Sequence, residues 1–127
     1  MGTFTCHCGY VIRDSSYPCE SSGRLMWESE TAAVSEETRS AVPDFLQSVA
    51  GGRKAEWVHS YFGERYPADV SDADVIDEIY SKASHDKGRT FYQCPECGRL
   101  YVQKQIFTNE WDCFVKGNSQ GLEVEET

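Results

Sequence analysis

The chain has 127 residues, of which 39% are hydrophobic, and a formal net charge of −9. This length fits one domain with a modest core, and the 3 Trp, 7 Tyr and 6 Phe argue against a disordered acidic chain. The charge argues against direct binding of nucleic acid, because affinity for the phosphate backbone comes largely from clustered Lys and Arg.

The N-terminal residues and the cysteines bear on the compartment. Residues 1–6 lack the basic start and apolar run of a secretory signal, and no stretch approaches the roughly 20 apolar residues of a membrane span. We therefore expect a soluble, cytoplasmic protein. The 6 cysteines could form three disulfides, but in a reducing compartment closely spaced cysteine pairs are better explained by a metal ion.

The first predicted element is a β-hairpin over residues 3–13. Apolar and β-branched residues flank a turn of sequence Cys6-His7-Cys8-Gly9, in which Gly9 can take the positive φ that a tight turn requires. The two thiols of this turn form the first half of a candidate metal site.

A helical insert is predicted for residues 28–88, which carry 13 acidic and 6 basic residues. Ahead of it, residues 15–23 are rich in turn-forming residues, and residues 24–29 favour a short strand. Residues 30–42 are polar and helix-tolerant, with Ser35-Glu36-Glu37 resembling a helix start, and Pro43 suits the first turn of a helix that ends at Gly51-Gly52.

Two further helices follow in the insert. Lys54–Phe62 places Trp57 and Tyr61 on one apolar stripe, which is typical of a core face. Ser71 begins a capping signature, and apolar residues then recur at helical spacing to about Ser84. The carboxylates near this helix lack the spacing of a calcium loop and are interpreted as its solvated face.

The second thiol pair lies in the turn Cys94-Pro95-Glu96-Cys97-Gly98, which residues 90–93 enter as a strand. Residues 99–107 and 111–115 are predicted to be strands that complete a small antiparallel sheet. The two thiol turns are near-copies in design. Each brings two cysteines close together, so the two pairs can face each other.

Four thiols in two facing pairs predict one structural Zn²⁺, with the ligands Cys6, Cys8, Cys94 and Cys97. A closed four-thiolate zinc site contributes folding energy and performs no chemistry. His7 could replace one cysteine, because imidazole also binds zinc, although four thiols already complete the coordination shell. Iron, an open catalytic site and disulfides are the other interpretations.

Residues 3–13 and 90–116 resemble the zinc-ribbon and rubredoxin-like group, in which two such knuckles clamp one metal between short β-hairpins. The second turn matches that group's motif fully, whereas one residue, not two, separates Cys6 from Cys8. The resemblance implies a zinc site, with rubredoxin-type iron as the alternative. It leaves the insert unrecognised and implies no function, because proteins of many functions share the fold.

Cys19 and Cys113 fall outside these turns. A nucleophilic cysteine needs a nearby base, and nothing in the spacing brings His59 or His85 to either thiol. Cys113, in a predicted strand, is interpreted as a small core residue. No catalytic residues are therefore predicted, and we expect the protein not to be an enzyme.

The sequence as a whole predicts an α+β domain over residues 1–121. A zinc-clamped antiparallel ribbon comes from residues 3–13 and 89–116, the insert at 28–88 supplies about three helices, and residues 122–127 form a disordered tail. Such a molecule is expected to act by binding a basic protein through its acidic surface. An inhibitor or immunity protein that blocks a toxin enzyme has this profile.

Two other functions are kept open. A zinc-ribbon accessory of transcription or nucleic-acid machinery would use a few cations of the ribbon as phosphate contacts, namely Arg89, Arg99, Lys104 and Lys116. A rubredoxin-like redox protein would hold iron in the same four thiols.

Overall fold

The structure is a computed structural model that describes residues 2–117. Within them the chain forms two compact units: residues 2–25 with 89–117, which we call the ribbon unit, and Met26–Gly88, which we call the helical unit. The tail predicted at residues 122–127 lies outside the described residues. The single-domain interpretation of residues 1–121 stays a prediction.

The ribbon unit contains six short antiparallel strands in two sheets. One sheet pairs β1 with β2, and the other has the order β3-β4-β5-β6. The strands are β1 (Thr3–Thr5), β2 (Val11–Arg13), β3 (Ser22–Leu25), β4 (Arg89–Gln93), β5 (Leu100–Gln103) and β6 (Trp111–Phe114).

The strands differ in detail from those the sequence predicts. They divide into two sheets, whereas one small sheet was expected. β3 begins at Ser22, inside the predicted loop, because it pairs with β4 in the register Ser22↔Tyr92. β5 ends at Gln103, ahead of a turn in which Phe107 takes a φ of 65°. These differences arise from pairing with distant strands, which local patterns do not encode.

Aromatic rings form the interior of the ribbon unit. The ring of Phe4 stacks on Tyr92, with centroids 4.8 Å apart, and meets Tyr101 and Trp111 edge-on at 4.7 and 5.1 Å. Two cysteines are buried beside these rings. The aromatic cluster thus supports the strands that lead into the two thiol turns.

The helical unit contains α1 (Glu28–Ala50), α2 (Lys54–Phe62) and α3 (Asp72–Ser84). The α+β class and the number of helices are confirmed. So is the capping signature, because the Asp74 backbone N–H donates to Ser71 Oγ at 3.1 Å at the start of α3. Among residues 2–117, no helix is long and apolar enough to cross a membrane.

The first helix is longer than predicted. A short strand was expected at residues 24–29 and a helix start at Ser35-Glu36-Glu37 or at Pro43, but α1 begins at Glu28 and continues through Pro43. At its start the Glu30 carboxylate accepts the Trp27 backbone N–H at 3.0 Å. Burial of Phe45 and other residues along one face offsets the hydrogen bond that Pro43 cannot donate.

An apolar core joins the three helices. Its fully buried residues come from α1, α2 and α3, and the Trp57 and Tyr61 rings pack against it, as the helical spacing predicts. The fully buried members are Phe45, Val58, Val75 and Ile79. The helical unit is therefore held together by ordinary hydrophobic packing.

Candidate metal centre

Four cysteine sulfurs converge in the ribbon unit. Their Sγ atoms all lie within 4.8 Å of one another. Contacts between the two turns are close, at 3.4 Å from Cys6 to Cys97 and 3.7 Å from Cys8 to Cys94. The structure thus brings together the four cysteines that the sequence singles out, across more than 80 residues of chain.

The first thiol turn joins β1 to β2. The Cys6 backbone N–H donates to the Tyr10 carbonyl at 2.9 Å, and the Gly9 N–H donates to the Cys6 carbonyl at 2.9 Å. Gly9 has a φ of 96°, as the turn was predicted to require. These bonds close a tight loop from which the Cys6 and Cys8 side chains extend.

The second turn repeats this arrangement between β4 and β5. The Cys94 N–H donates to the Arg99 carbonyl at 2.9 Å, and the Gly98 N–H donates to the Cys94 carbonyl at 2.9 Å. Gly98 has a φ of 77°. The closing bond spans one more residue here than in the first turn, which accounts for the different spacing of the two cysteine pairs.

The donor set fits a tetrahedral metal ion. Around zinc, with Zn–S bonds of about 2.3 Å, neighbouring sulfurs lie about 3.8 Å apart. The closest contacts between the turns, 3.4 and 3.7 Å, are near this value. Four soft sulfur ligands suit zinc and iron alike. The ribbon unit therefore contains a four-cysteine cluster of the zinc-ribbon kind that could hold a metal ion.

The pKa values of the two thiols in the first turn are shifted in opposite directions. Burial acts to raise the pKa of Cys6, but hydrogen bonds from Tyr101 and the Cys8 backbone outweigh it and lower that pKa to about 6. A backbone hydrogen bond with Tyr10 acts to lower the pKa of Cys8, yet desolvation and the adjacent thiols raise it to about 12. A divalent cation would offset the electrostatic repulsion between neighbouring thiolates, because metal binding drives all the thiols to ionise.

Sequence reasoning missed the roles of Tyr101 and Arg99. Tyr101, predicted only as a strand residue, places its hydroxyl 3.2 Å from Cys6 Sγ and accepts the His7 backbone N–H at 2.9 Å. Arg99 Nη1 donates to Cys97 Sγ at 3.3 Å. A signal existed, since Arg99 directly follows the second turn and Tyr101 lies two residues further on, but their contacts with sulfur depend on the folded register.

His7 lies beside the cluster and not in it. Its ring meets Tyr101 edge-on at 5.6 Å, and among residues 2–117 the group whose ligand atoms converge consists of the four cysteines. Cys19 donates to the Arg13 carbonyl at 3.8 Å. Cys113 is exposed, so the interpretation of this thiol as a core residue is wrong. It lies on β6, the edge strand of the larger sheet, which leaves it open to solvent.

Comparison with known proteins gives one match. The model of a family described as a domain of unknown function (DUF8617) matches residues 2–118, which is most of the chain and includes all four clustered cysteines. No curated protein and no solved structure matches the chain.

Proposed function

Because the chain belongs to the DUF8617 family, whose description carries no activity, we propose a function from the molecule's own residues. The protein is a zinc-stabilised, non-enzymatic binding protein that docks a basic protein through the acidic surface of its helical unit. The zinc is structural, since a closed shell of four thiolates has no position for a substrate. The thiols must stay reduced to bind it, which fits the cytoplasm.

An open groove between α1 and α2 carries this proposal. It has a volume of about 720 Å³ and follows α1 for about 16 Å, from Ala33 to Asp44. Small side chains of α1 lie between acidic residues of the same helix and two aromatic rings of α2. The lining residues are Ala33, Glu36, Glu37, Ser40, Ala41, Asp44, Trp57 and Tyr61, none of which is Lys or Arg.

The groove carries fixed negative charge. Tyr61 Oη donates to Glu37 Oε1 at 2.9 Å, and Trp57 Nε1 donates to Asp44 Oδ2 at 2.9 Å. Burial, followed by the hydrogen bond and charge of Glu37, raises the pKa of Tyr61 to about 12. The tyrosine is therefore protonated at neutral pH and holds an ionised carboxylate in place.

The aromatic wall of the groove also suits a cation. The Trp57 and Tyr61 rings stack nearly parallel, with centroids 4.7 Å apart and planes 13° apart. Lys82 Nζ already lies 3.9 Å from the centroid of the Tyr61 ring, so this aromatic pair attracts an ammonium group within the chain itself. Trp57 and Lys82 cover the two faces of the Tyr61 ring, so an Arg or Lys of a partner would meet the groove carboxylates and the Trp57 ring.

The partner that fits this groove is a protein with a basic surface segment. The helical unit holds 13 of the 21 acidic residues, and its field would speed the encounter with such a partner and disfavour acidic ones. A toxic enzyme with a basic surface has this chemistry, which makes inhibition or immunity the specific role proposed for the complex.

A matched pair of charge variants tests the proposal. The groove variant carries Glu36→Gln, Glu37→Gln and Asp44→Asn, whose amide oxygens can still accept from Tyr61 and Trp57. The control variant carries Glu64→Gln, Asp69→Asn and Asp77→Asn, which change the same charge at exposed positions outside the groove. A blocked octa-arginine peptide serves as the defined probe, followed by basic proteins captured from the native host.

We expect calorimetric titration to show at least about tenfold weaker binding to the groove variant, or about 1.4 kcal/mol, and a change within about twofold for the control. Octa-arginine should also bind more tightly than octa-lysine, because guanidinium stacks on aromatic rings. Equal losses of affinity in both variants would show that the effect depends on net charge alone, and would contradict binding in the groove. Salt-sensitive binding of DNA or RNA in a gel-shift titration would instead favour the nucleic-acid accessory.

A further inference from the structure

The four sulfurs differ in their exposure to solvent. Cys6 and Cys94, the first cysteine of each turn, are 2% and 1% exposed. Cys8 and Cys97, the second cysteine of each turn, are exposed. An electrophile from solvent can therefore approach two of the thiolates, and any further difference between these two decides which one it attacks first.

Tyr101 secures one buried sulfur. Its side chain is 3% exposed and its ring meets Phe4 edge-on at 4.7 Å, so the hydroxyl is held in place. The hydroxyl oxygen accepts the His7 backbone N–H at 2.9 Å and lies 3.2 Å from Cys6 Sγ. Because a metal-bound thiolate carries no proton, the hydroxyl is the donor to Cys6 in the metal-loaded protein. Tyr101 thus links the first thiol turn to β5 and donates to a metal-bound thiolate.

Arg99 distinguishes the two exposed sulfurs. Cys8 and Cys97 each have a hydrogen bond with the backbone of the residue two positions further along the chain. This residue is Tyr10 for Cys8 and Arg99 for Cys97. Cys97 Sγ also accepts from the Arg99 guanidinium at 3.3 Å. Among residues 2–117, the side chains that hydrogen-bond Cys8 are other thiols of the cluster. One exposed thiolate therefore accepts a hydrogen bond from a permanently charged group, and no such bond to the other is found within residues 2–117.

We propose that Tyr101 and Arg99 are positioning residues of the metal centre, which hold the thiolates of Cys6 and Cys97 on the metal and leave Cys8 to react first with electrophiles. A donor to a thiolate stabilises its negative charge and makes the sulfur less nucleophilic, while orienting it toward the metal. Arg99 has a stronger effect on Cys97 than Tyr101 has on Cys6, even though Cys97 is exposed, because the guanidinium is always charged.

Alkylation with iodoacetamide measures this order. The thiolate sulfur attacks the CH₂ carbon, a C–S bond forms, the C–I bond breaks and iodide leaves, so the modified cysteine becomes a neutral thioether. Its weaker hold on the metal releases zinc, which a chromophoric chelator reports. The full zinc-loaded chain is used with Cys19→Ser and Cys113→Ser, so that the two thiols outside the cluster do not consume the reagent.

Fragmentation mass spectrometry should find Cys8 modified first, at least about fivefold faster than Cys97. Arg99→Gln should raise the Cys97 rate to that of Cys8, and Arg99→Lys should restore most of the protection because it keeps a charged donor. Arg13→Gln is the control, since it removes the same charge from an exposed residue of β2. Equal rates at Cys8 and Cys97 in the parent chain would overturn the proposal.

Tyr101→Phe tests the other positioning residue, because it removes only the hydroxyl. Zinc affinity in chelator competition should fall by about tenfold or more, and the sulfur-to-cobalt charge-transfer bands of the Co²⁺-substituted protein should shift. Tyr92→Phe is the matched control, since that hydroxyl donates to Asp14 Oδ2 at 2.9 Å and not to sulfur. Equal losses in the two variants would overturn the role of Tyr101. If Tyr101→Phe fails to fold, the order in which Cys8 and Cys97 are alkylated still tests the part of the proposal that concerns Arg99.

Discussion

The two units of the molecule differ in which residues form their interiors. The ribbon unit has strands of three to five residues, and two of the five buried hydrophobic residues among its described residues are cysteines of the cluster. The helical unit buries seven apolar residues, of which five form one core cluster that joins its three helices. We therefore expect hydrophobic packing to suffice for the helical unit, whereas the ribbon unit is expected to depend on a metal cross-link through its thiols.

The candidate metal centre and the proposed binding surface lie in different units. The four clustered sulfurs lie in the ribbon unit. Most of the acidic residues lie in the helical unit, along with the groove between α1 and α2. One unit thus contains the candidate metal centre, and the other contains the surface proposed to meet a partner.

Removal of the metal is expected to have the largest effect. A strong chelator, or Cys94→Ser, should unfold the ribbon unit, because structural zinc contributes about 10 kcal/mol or more in small domains. The helical unit should retain its α-helical circular dichroism and its protected amides. Hydrogen exchange resolved by residue checks both outcomes.

Cys113→Ser is the control for metal removal, because this thiol is exposed and lies outside the cluster. It should leave the zinc content and the amide protection unchanged. A ribbon unit that stays folded in the presence of the chelator would contradict metal-dependent folding. Loss of both units together would show that the helical unit also relies on the metal.

Truncation of the helical core should have the next largest effect. Phe45 is completely buried between the helices, and Phe45→Ala should lower the free energy of unfolding by about 3–5 kcal/mol. The neighbouring Leu46 is 49% exposed, and Leu46→Ala should cost about 0.5 kcal/mol. Urea titration followed by circular dichroism measures both. Zinc content should remain that of the parent chain, and its loss in Phe45→Ala would break the division between the units.

Alkaline pH should have a smaller effect on each unit, and in each unit one tyrosine that is hydrogen-bonded to a carboxylate contributes to it. Burial, then the hydrogen bond and charge of a carboxylate, raises the pKa of Tyr61 in the helical unit and of Tyr92 in the ribbon unit to about 12. Because the folded pKa lies above the usual value of 10.0, the contribution is complete below pH 10.0 and is lost as pH rises toward about 12.

Denaturant titrations at about pH 8 and about pH 11 should therefore show a loss of stability that each phenylalanine variant reduces in its own unit. Tyr61→Phe should reduce the loss in the helical unit, and Tyr92→Phe should reduce it in the ribbon unit. The Tyr61 contribution is moderated by solvent, since its side chain is only partly buried. An alkaline loss that neither variant changes would contradict this assignment.

Local patterns were sufficient for several elements. The thiol turns, with glycines at positive φ, and helices α2 and α3 lie where the sequence predicts them, because turn geometry and helical periodicity depend on neighbouring residues. The start of α1 could not be predicted in the same way. Its polar first half tolerates a helix without fixing where the helix begins, and Pro43 suits a first turn better than a helix interior. Packing of Phe45 and its neighbours against the other helices decides the outcome.

The chemistry of the candidate site can be predicted from the sequence: four thiols in two tight turns, and an acidic segment between them. Which residues form hydrogen bonds to those thiols depends on the tertiary structure. Tyr101 and Arg99 reach sulfur, and Cys113 is left exposed at a sheet edge, because strand pairing sets the face and neighbours of each residue. Such contacts join residues far apart in the chain, and no local spacing specifies them.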